Sequence, residues 1–391
     1  YQVEGINSIS DWWEWERRAG KEPSGAACRS YELYKQDFDL AKELNHNAHR
    51  LSIEWSRIEP RRGQFSLKEL EHYKDVILAL KKRGLEPIVT LHHFTNPLWF
   101  AKAGGWQNKK APAYFLNFIQ KAVDFLCADV RFWVTINEPM VYVYHAYILG
   151  QWPPQERSAW KAKAVTDNLV SAHIKAYRVI HGIYKQRNLQ SCFVSIAQNI
   201  QFFAPCILNP GNKFASWLRD RYYNLDFIRR LLRYKSLDYI GINYYSRSAV
   251  ELKKLGFRNF FVDVCENKGH SQLKKNSLGW DIYPQGLYKL LIKFKRFNLP
   301  LFILENGICT EDDNLRWDFI HEHLKAVNRA IVEGVNVMGY IYWSLVDNFE
   351  WDKGFRPRFG LIEVDYNTYK RTIRESARKF ALVCKTGSLS G

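Results

Sequence analysis

Residues 132–139 read Phe-Trp-Val-Thr-Ile-Asn-Glu-Pro, a run of aromatic and β-branched side chains that ends in an amide, a carboxylate and a proline. Such a run, closed by a residue that cannot continue a ladder, reads as a buried strand. Six further segments follow the same grammar: 49–55 (HRLSIEW), 86–93 (EPIVTLHH), 192–198 (CFVSIAQ), 238–245 (DYIGINYY), 300–305 (PLFILE) and 337–343 (VMGYIYW). Between them lie stretches of helical period at 31–45, 67–84, 113–128, 164–187, 212–233, 284–297, 316–333 and 371–383. In the second, Leu70, Tyr73, Ile77 and Leu80 share one helix face. Strand–helix alternation of this length implies a parallel sheet. Seven strands are visible, and Tyr1-Gln2-Val3-Glu4 reads as the tail of an eighth. Eight such units predict an α/β fold, a (β/α)8 TIM barrel, with residues 1–391 as one domain whose first strand is truncated. A doubly wound sheet competes, but no Gly-x-Gly-x-x-Gly follows the first strand.

The 391 residues are 47% hydrophobic and 25% charged, which excludes a disordered or collagen-like chain. Aromatics reach 15%, supplying buried area and flat faces on which sugars or bases stack. The net charge of +17 raises nucleic acid or an anionic surface as a partner. Yet the basic residues are scattered, as in Arg17-Arg18, Lys81-Lys82-Arg83, Arg229-Arg230 and Lys253-Lys254. A spread-out basic surface is expected, with salt-sensitive attraction to polyanions and no specific nucleic acid. No apolar run approaches the ~20 residues of a membrane span, and no membrane partner is expected. The cysteines at 28, 127, 192, 206, 265, 309 and 384 form no CxxC pair and read as reduced thiols. With no signal peptide visible, they predict a cytoplasmic protein. The chain opens at Tyr1 without a Met, so residues upstream are expected to be missing from it.

In a barrel of this kind chemistry sits at the C-terminal ends of the strands. His92-His93, Asn137-Glu138, Asn243 and Tyr245, Glu305-Asn306 and Trp343 all fall there, while Arg50 lies early in its run. Glu138 and Glu305 each end a strand that should be buried, where a carboxylate must be used or paired. Two carboxylates flanking a glycosidic bond are the minimal machinery for its hydrolysis, one a proton donor and the other an ionised nucleophile or base. On spacing alone, two strand-end acids in structural ion pairs are about as good a reading. Asn137 either bonds a sugar hydroxyl or shapes the turn before Pro139. Arg50 either holds Glu305 ionised or makes a structural ion pair. Phe94, Trp99, Tyr245, Trp343, Trp351 and Phe359 are candidate stacking faces, each also a plausible packing residue. Adjacent His92 and His93 must point to opposite sides of a strand. No set of ligands converges as a zinc site requires, and no P-loop or Gly-x-Ser-x-Gly is present.

These segments together resemble glycoside hydrolase family 1, the retaining β-glycosidases, over nearly the whole chain. Tyr-Gln-Val-Glu-Gly at 1–5 is similar to the segment after the family's first strand. Arg50-Leu-Ser-Ile-Glu-Trp-Ser-Arg57 resembles the second strand, and Thr90-Leu-His-His-Phe94 the third, with Phe94 where many members carry Trp. Thr135-Ile-Asn-Glu-Pro139 and Glu305-Asn-Gly307 match the two signature motifs, and 342–360 the sugar-binding loop. The resemblance implies a two-step mechanism with Glu305 as nucleophile and Glu138 as acid/base. It implies that Asn137 holds the 2-hydroxyl, that Arg50, Asn243 and Tyr245 position and tune the nucleophile, and that Gln2, His93, Glu350 and Trp351 hold the other hydroxyls. Trp343 would lie under the ring and Phe359 would close the pocket. Substrates would be small β-glycosides or short oligosaccharides, chiefly β-glucosides, with some β-galactoside or β-fucoside activity. No metal or organic cofactor would be required.

Glu350 is retained where the phospho-sugar branch loses an acid, and Glu138 where the thioglucosidase branch carries Gln. Unphosphorylated O-glycosides are therefore implied. The chain is shorter than most members, and 224–238 (NLDFIRRLLRYKSLD) leaves little room between the fifth and sixth strands. A shortened or flexible side is expected there. It would expose an apolar wall around Tyr222, Tyr223, Phe227 and Leu231-Leu232, open to a flat ligand such as haem. The alternative function is accordingly a sugar- or haem-binding barrel with little or no catalysis.

Overall fold

The computed structural model describes residues 1–252, 265 and 273–389. Seven parallel strands form its centre: β1 (Ala48–Ser52), β2 (Glu86–Thr90), β3 (Phe132–Asn137), β4 (Phe193–Asn199), β6 (Ile240–Asn243), β8 (Leu301–Asn306) and β9 (Val337–Tyr342). They are hydrogen-bonded in that order, each neighbour in parallel register, as in Arg50 opposite Ile88 and Ile240 opposite Leu301. All seven coincide with the runs read from sequence. The intervening helices coat the outside, as a βαβ path requires. β1 and β9 border the sheet, and a cleft of about 1250 Å³ opens along that seam. Gln2–Glu4 form a turn there rather than the tail of a strand.

Alternation along the strands divides the core. Ile88, Val134, Ala197, Phe302 and Leu304 belong to one small cluster. Val89, Trp133, Val194, Ile196, Leu301 and Ile303 point the other way, into the large cluster shared with the helices. The helix Leu67–Lys82 shows how the outer layer is written. Ser66 caps it by accepting from the Glu69 amide, and Leu70, Tyr73, Val76, Ile77 and Leu80 are buried on its inner face.

Four short strands escaped the sequence reading. β5 (Phe202–Pro205) pairs with β7 (Arg247–Val250), and β10 (Ile362–Val364) with β11 (Arg371–Ile373). β11 occupies the start of the stretch 371–383 read as helix, and the helix itself runs Glu375–Thr386. Runs of three or four residues are too short to display a period.

Two expectations are corrected. Cys206 and Cys265 form a disulfide, so the cysteines are not all reduced thiols. The β5–β7 ribbon brings them together, with the Cys206 amide on the Val250 carbonyl and the Cys265 amide on that of Ala249. A separation of 59 residues gives no hint of this in the sequence. The cytoplasmic expectation loses the support it drew from unpaired cysteines. Second, of the wall expected to open there, Phe227 and Leu231 are fully buried, while Tyr222, Tyr223 and Leu232 are half-buried against the large cluster. The helix Phe227–Arg233 packs on the long helix Ala159–Gln186 instead. Among the described residues, no helix is long and apolar enough to cross a membrane. Lys253 and Lys254 lie outside the described residues.

Candidate active site

A second cleft, about 1310 Å³, opens at the C-terminal ends of the strands. Its walls include His93, Glu138, Tyr245, Glu305, Trp343, Glu350, Trp351 and Phe359. Arg50, Asn137 and Asn243 stand directly behind the two acids, bonded to them or to each other. Gln2 and Arg50 line the adjoining seam cleft, which shares His93, Trp343 and Trp351 with this one. All twelve sequence candidates thus converge on one region. Trp99 does not: its indole donates to the Glu59 carbonyl, and its ring packs on Trp55 and Tyr114.

Glu305 is the penultimate residue of β8 and is buried. The Arg50 guanidinium pairs with its Oε1, and the Tyr245 hydroxyl donates to Oε2 at 2.6 Å. Arg50 also donates to Asn137 Oδ1 at 2.7 Å and to Thr90 Oγ1 at 3.0 Å, so its fork is fixed on three partners. The pairing crosses 255 residues of sequence, yet β1 and β8 both border the interior of one barrel. Burial keeps the Tyr245 phenol far above its ordinary range, so it stays a donor. Gly307, two residues on, makes the close packing possible: a Cβ there would stand 1.8 Å from the Trp343 carbonyl oxygen.

Glu138 occupies the residue between β3 and the helix Pro139–Val143, at φ +41°. A carboxylate-bearing residue held in the left-handed region is strained and must be over-determined by its surroundings. Its amide donates to the Ala197 carbonyl, and its Oε1 accepts from Asn243 at 2.9 Å and Asn199 at 3.0 Å. Burial, then the charge of Glu305, pushes its carboxyl up to about 8, against the pull of the two amides. Two acids in one cleft are thus differently furnished: one faces a cation and a phenol, the other only neutral amides. The Asn137 Nδ2 is buried with no hydrogen-bond partner among the described residues, one donor left for something in the cleft.

Gln2 donates to Asn348 at 3.1 Å and to Glu350 at 3.2 Å. His93 meets Ser52 Oγ at 2.9 Å through Nδ1, and burial, then Arg50, holds it far below its usual range, so the imidazole is neutral. His92 points away, to Asn96 and the edge of Trp106; both histidines lie just past β2, which ends at Thr90, and not on the strand itself as the sequence suggested. Burial, then Glu305 and Glu138, raises Glu350 to about 8. A carboxyl raised in the folded state keeps a proton that the unfolded chain has released, so stability falls as pH rises towards 8. Glu350→Gln is therefore expected to be more stable than wild type at about pH 9 by on the order of a few kcal/mol, with the gain vanishing near about pH 4. Urea titrations at both pH values measure it; an equal difference at both would contradict the assignment.

Sequence reasoning missed Asn199, Trp280 and Asp352, and it read Tyr223, which lines this cleft, as part of an apolar wall instead. Asn199 ends β4 and was findable by the strand-end rule. Trp280, 6.0 Å from the Tyr245 ring and 6.4 Å from Phe359, arrives on a loop with no motif to announce it. Among the described residues, one group of three potential metal ligands gathers, Cys206, Glu251 and Cys265, and its two sulfurs are bonded to each other.

The family model for glycosyl hydrolase family 1 matches residues 5–230 and 224–388. A β-glycosidase from Pyrococcus horikoshii superposes with a TM-score of 0.90 at 39% identity, covering 98% of this chain and 92% of that one. β-Glucosidase A of Thermotoga maritima is 30% identical, covering 100% of this chain and 96% of that protein. The chloroplastic galactolipid galactosyltransferase SFR2 of Arabidopsis thaliana is 31% identical, covering 91% of this chain and 57% of that protein. The chain thus spans little more than half the length of its chloroplastic relatives.

Proposed function

The chain belongs to glycosyl hydrolase family 1, and on that premise we propose that it is a retaining β-glycosidase acting on terminal non-reducing β-D-glucosides, with some β-galactoside and β-fucoside activity. The observation that carries this reading is the unequal furnishing of the two buried acids. Glu305 takes a guanidinium and a phenol; Glu138 takes two amides and keeps its proton up to about pH 8.

Glu305 attacks the anomeric carbon while the glycosidic C–O bond breaks and Glu138 passes its proton to the leaving oxygen. Water enters from the leaving-group side, gives its proton to Glu138 and releases the sugar from Glu305. Two inversions give net retention. Asn137 Nδ2, the buried donor without a partner, holds the 2-hydroxyl. Gln2, His93, Glu350 and Trp351 hold the remaining hydroxyls, Trp343 lies under the ring, and Phe359 closes the pocket with Trp280. Arg50 holds Glu305 and Asn243 holds Glu138, and both donate to the Asn137 Oδ1 that stands between them. No step calls for a metal or an organic cofactor.

Proton NMR during hydrolysis of 4-nitrophenyl β-D-glucoside tests the stereochemistry. The β-anomer of glucose should appear first and mutarotate later; initial release of the α-anomer would overturn the double displacement. A second reading is transfer of the sugar to a lipid-borne hydroxyl in place of water, favoured by the resemblance to the Arabidopsis galactolipid galactosyltransferase. It uses the same first step, and accumulation of an oligogalactolipid from a galactolipid donor would select it.

A further inference from the structure

The helix Pro210–Arg219 wears its polarity inside out. Asn212, Ser216 and Arg219 are buried beneath it, while Phe214 and Trp217 stand 51% and 54% exposed on its outer face. The loop before it adds Ile207 and Leu208, 50% and 80% exposed. Phe214 and Trp217 stack at 5.8 Å, making one broad apolar face rather than scattered side chains. Lys213 is exposed beside them, and the Arg221 guanidinium lies 5.8 Å from the Trp217 ring. Residues 207–233 carry six Lys or Arg against two Asp, within a chain of net charge +17. The inner side of the same helix reaches the catalytic cleft through Arg219.

Exposed aliphatic and aromatic side chains cost solvation free energy unless something covers them, and contiguous patches mark contact surfaces. Trp and Phe with Leu and Ile, rimmed by Lys and Arg, is the composition of a helix that lies in the headgroup region of an anionic bilayer. We propose that this face docks the enzyme on an anionic lipid surface. Trp217 and Leu208 enter the headgroup boundary, and Lys213 and Arg221 meet lipid phosphates. The sequence led us to expect no membrane partner because it holds no spanning segment, and a surface-lying helix needs none. The dock stands whichever glycoside the cleft takes.

Sedimentation of the full chain with phosphatidylglycerol–phosphatidylcholine vesicles, against phosphatidylcholine vesicles, tests this. Wild type should pellet with the anionic vesicles at low salt and far less with the neutral ones. The double variant Leu208→Ser/Trp217→Ser should bind at least about tenfold more weakly. It should hydrolyse 4-nitrophenyl β-D-glucoside like wild type, which shows that it folds. Three results would overturn the proposal: wild type remaining in the supernatant; the variant pelleting as wild type does, which would assign the binding to diffuse charge; or light scattering showing that the substitutions instead split a dimer, which would make a second copy the occupant.

Discussion

In the Glu305→Ala variant, turnover of 4-nitrophenyl β-D-glucoside falls by on the order of 10⁴-fold or more. Sodium azide restores turnover and the product is the α-glycosyl azide. Azide fits the space the carboxylate leaves and attacks the face that Glu305 would have attacked; with no covalent intermediate, one inversion remains. The geometry that demands so large an effect is the dedication of Arg50 and Tyr245 to this one side chain. Its removal leaves a buried guanidinium without its carboxylate, so the fold must be checked by circular dichroism. A variant that folds and keeps more than about a hundredth of wild-type activity would remove Glu305 from the nucleophile's role.

The Glu138→Ala variant loses about 10²- to 10⁴-fold on alkyl glucosides, whose leaving groups need a proton. It is nearly unimpaired in glycosyl-enzyme formation from a dinitrophenyl glucoside, which needs none. Azide then yields the β-glycosyl azide, since the intermediate on Glu305 still forms and is intercepted from the opposite face. The pH profile carries an independent sign. Glu138 must be protonated to act as the acid, so wild-type kcat/KM on alkyl glucosides should fall as pH rises through about 8. That alkaline limb should be absent from the variant. A limb that persists unchanged would place the proton on another group, and Glu350, also raised to about 8, is the first to examine.

The sequence by itself determined the barrel and most of the residues that gather in the candidate site. Period-two runs separated by period-3.6 stretches are local signals, legible because each element buries a face set by its own geometry. The seven strands lie where those runs lie, and the rule that function gathers at strand ends picked out Glu138, Glu305, Asn243 and Trp343. His92 and His93 do face different partners as expected, although both lie beyond the end of β2 at Thr90. The same rule applied to β4 yields Asn199, which completes the amide cradle of Glu138.

Only the tertiary structure decided which acid receives which partner. From spacing, Glu138 and Glu305 are equivalent strand-end carboxylates. Curling the sheet puts Arg50 of β1 against Glu305 of β8 and leaves Glu138 to neutral amides, and that difference separates the roles proposed for them. It also separated Trp99, held against Glu59, from the rings that line the cleft. It joined Cys206 to Cys265 across the β5–β7 ribbon, and it buried Phe227 and Leu231. On the helix Pro210–Arg219 the periodicity alone would have buried Phe214 and Trp217; packing turned the polar face inward. A period shows that a helix has two faces, while which face is covered depends on what the rest of the chain sets against it.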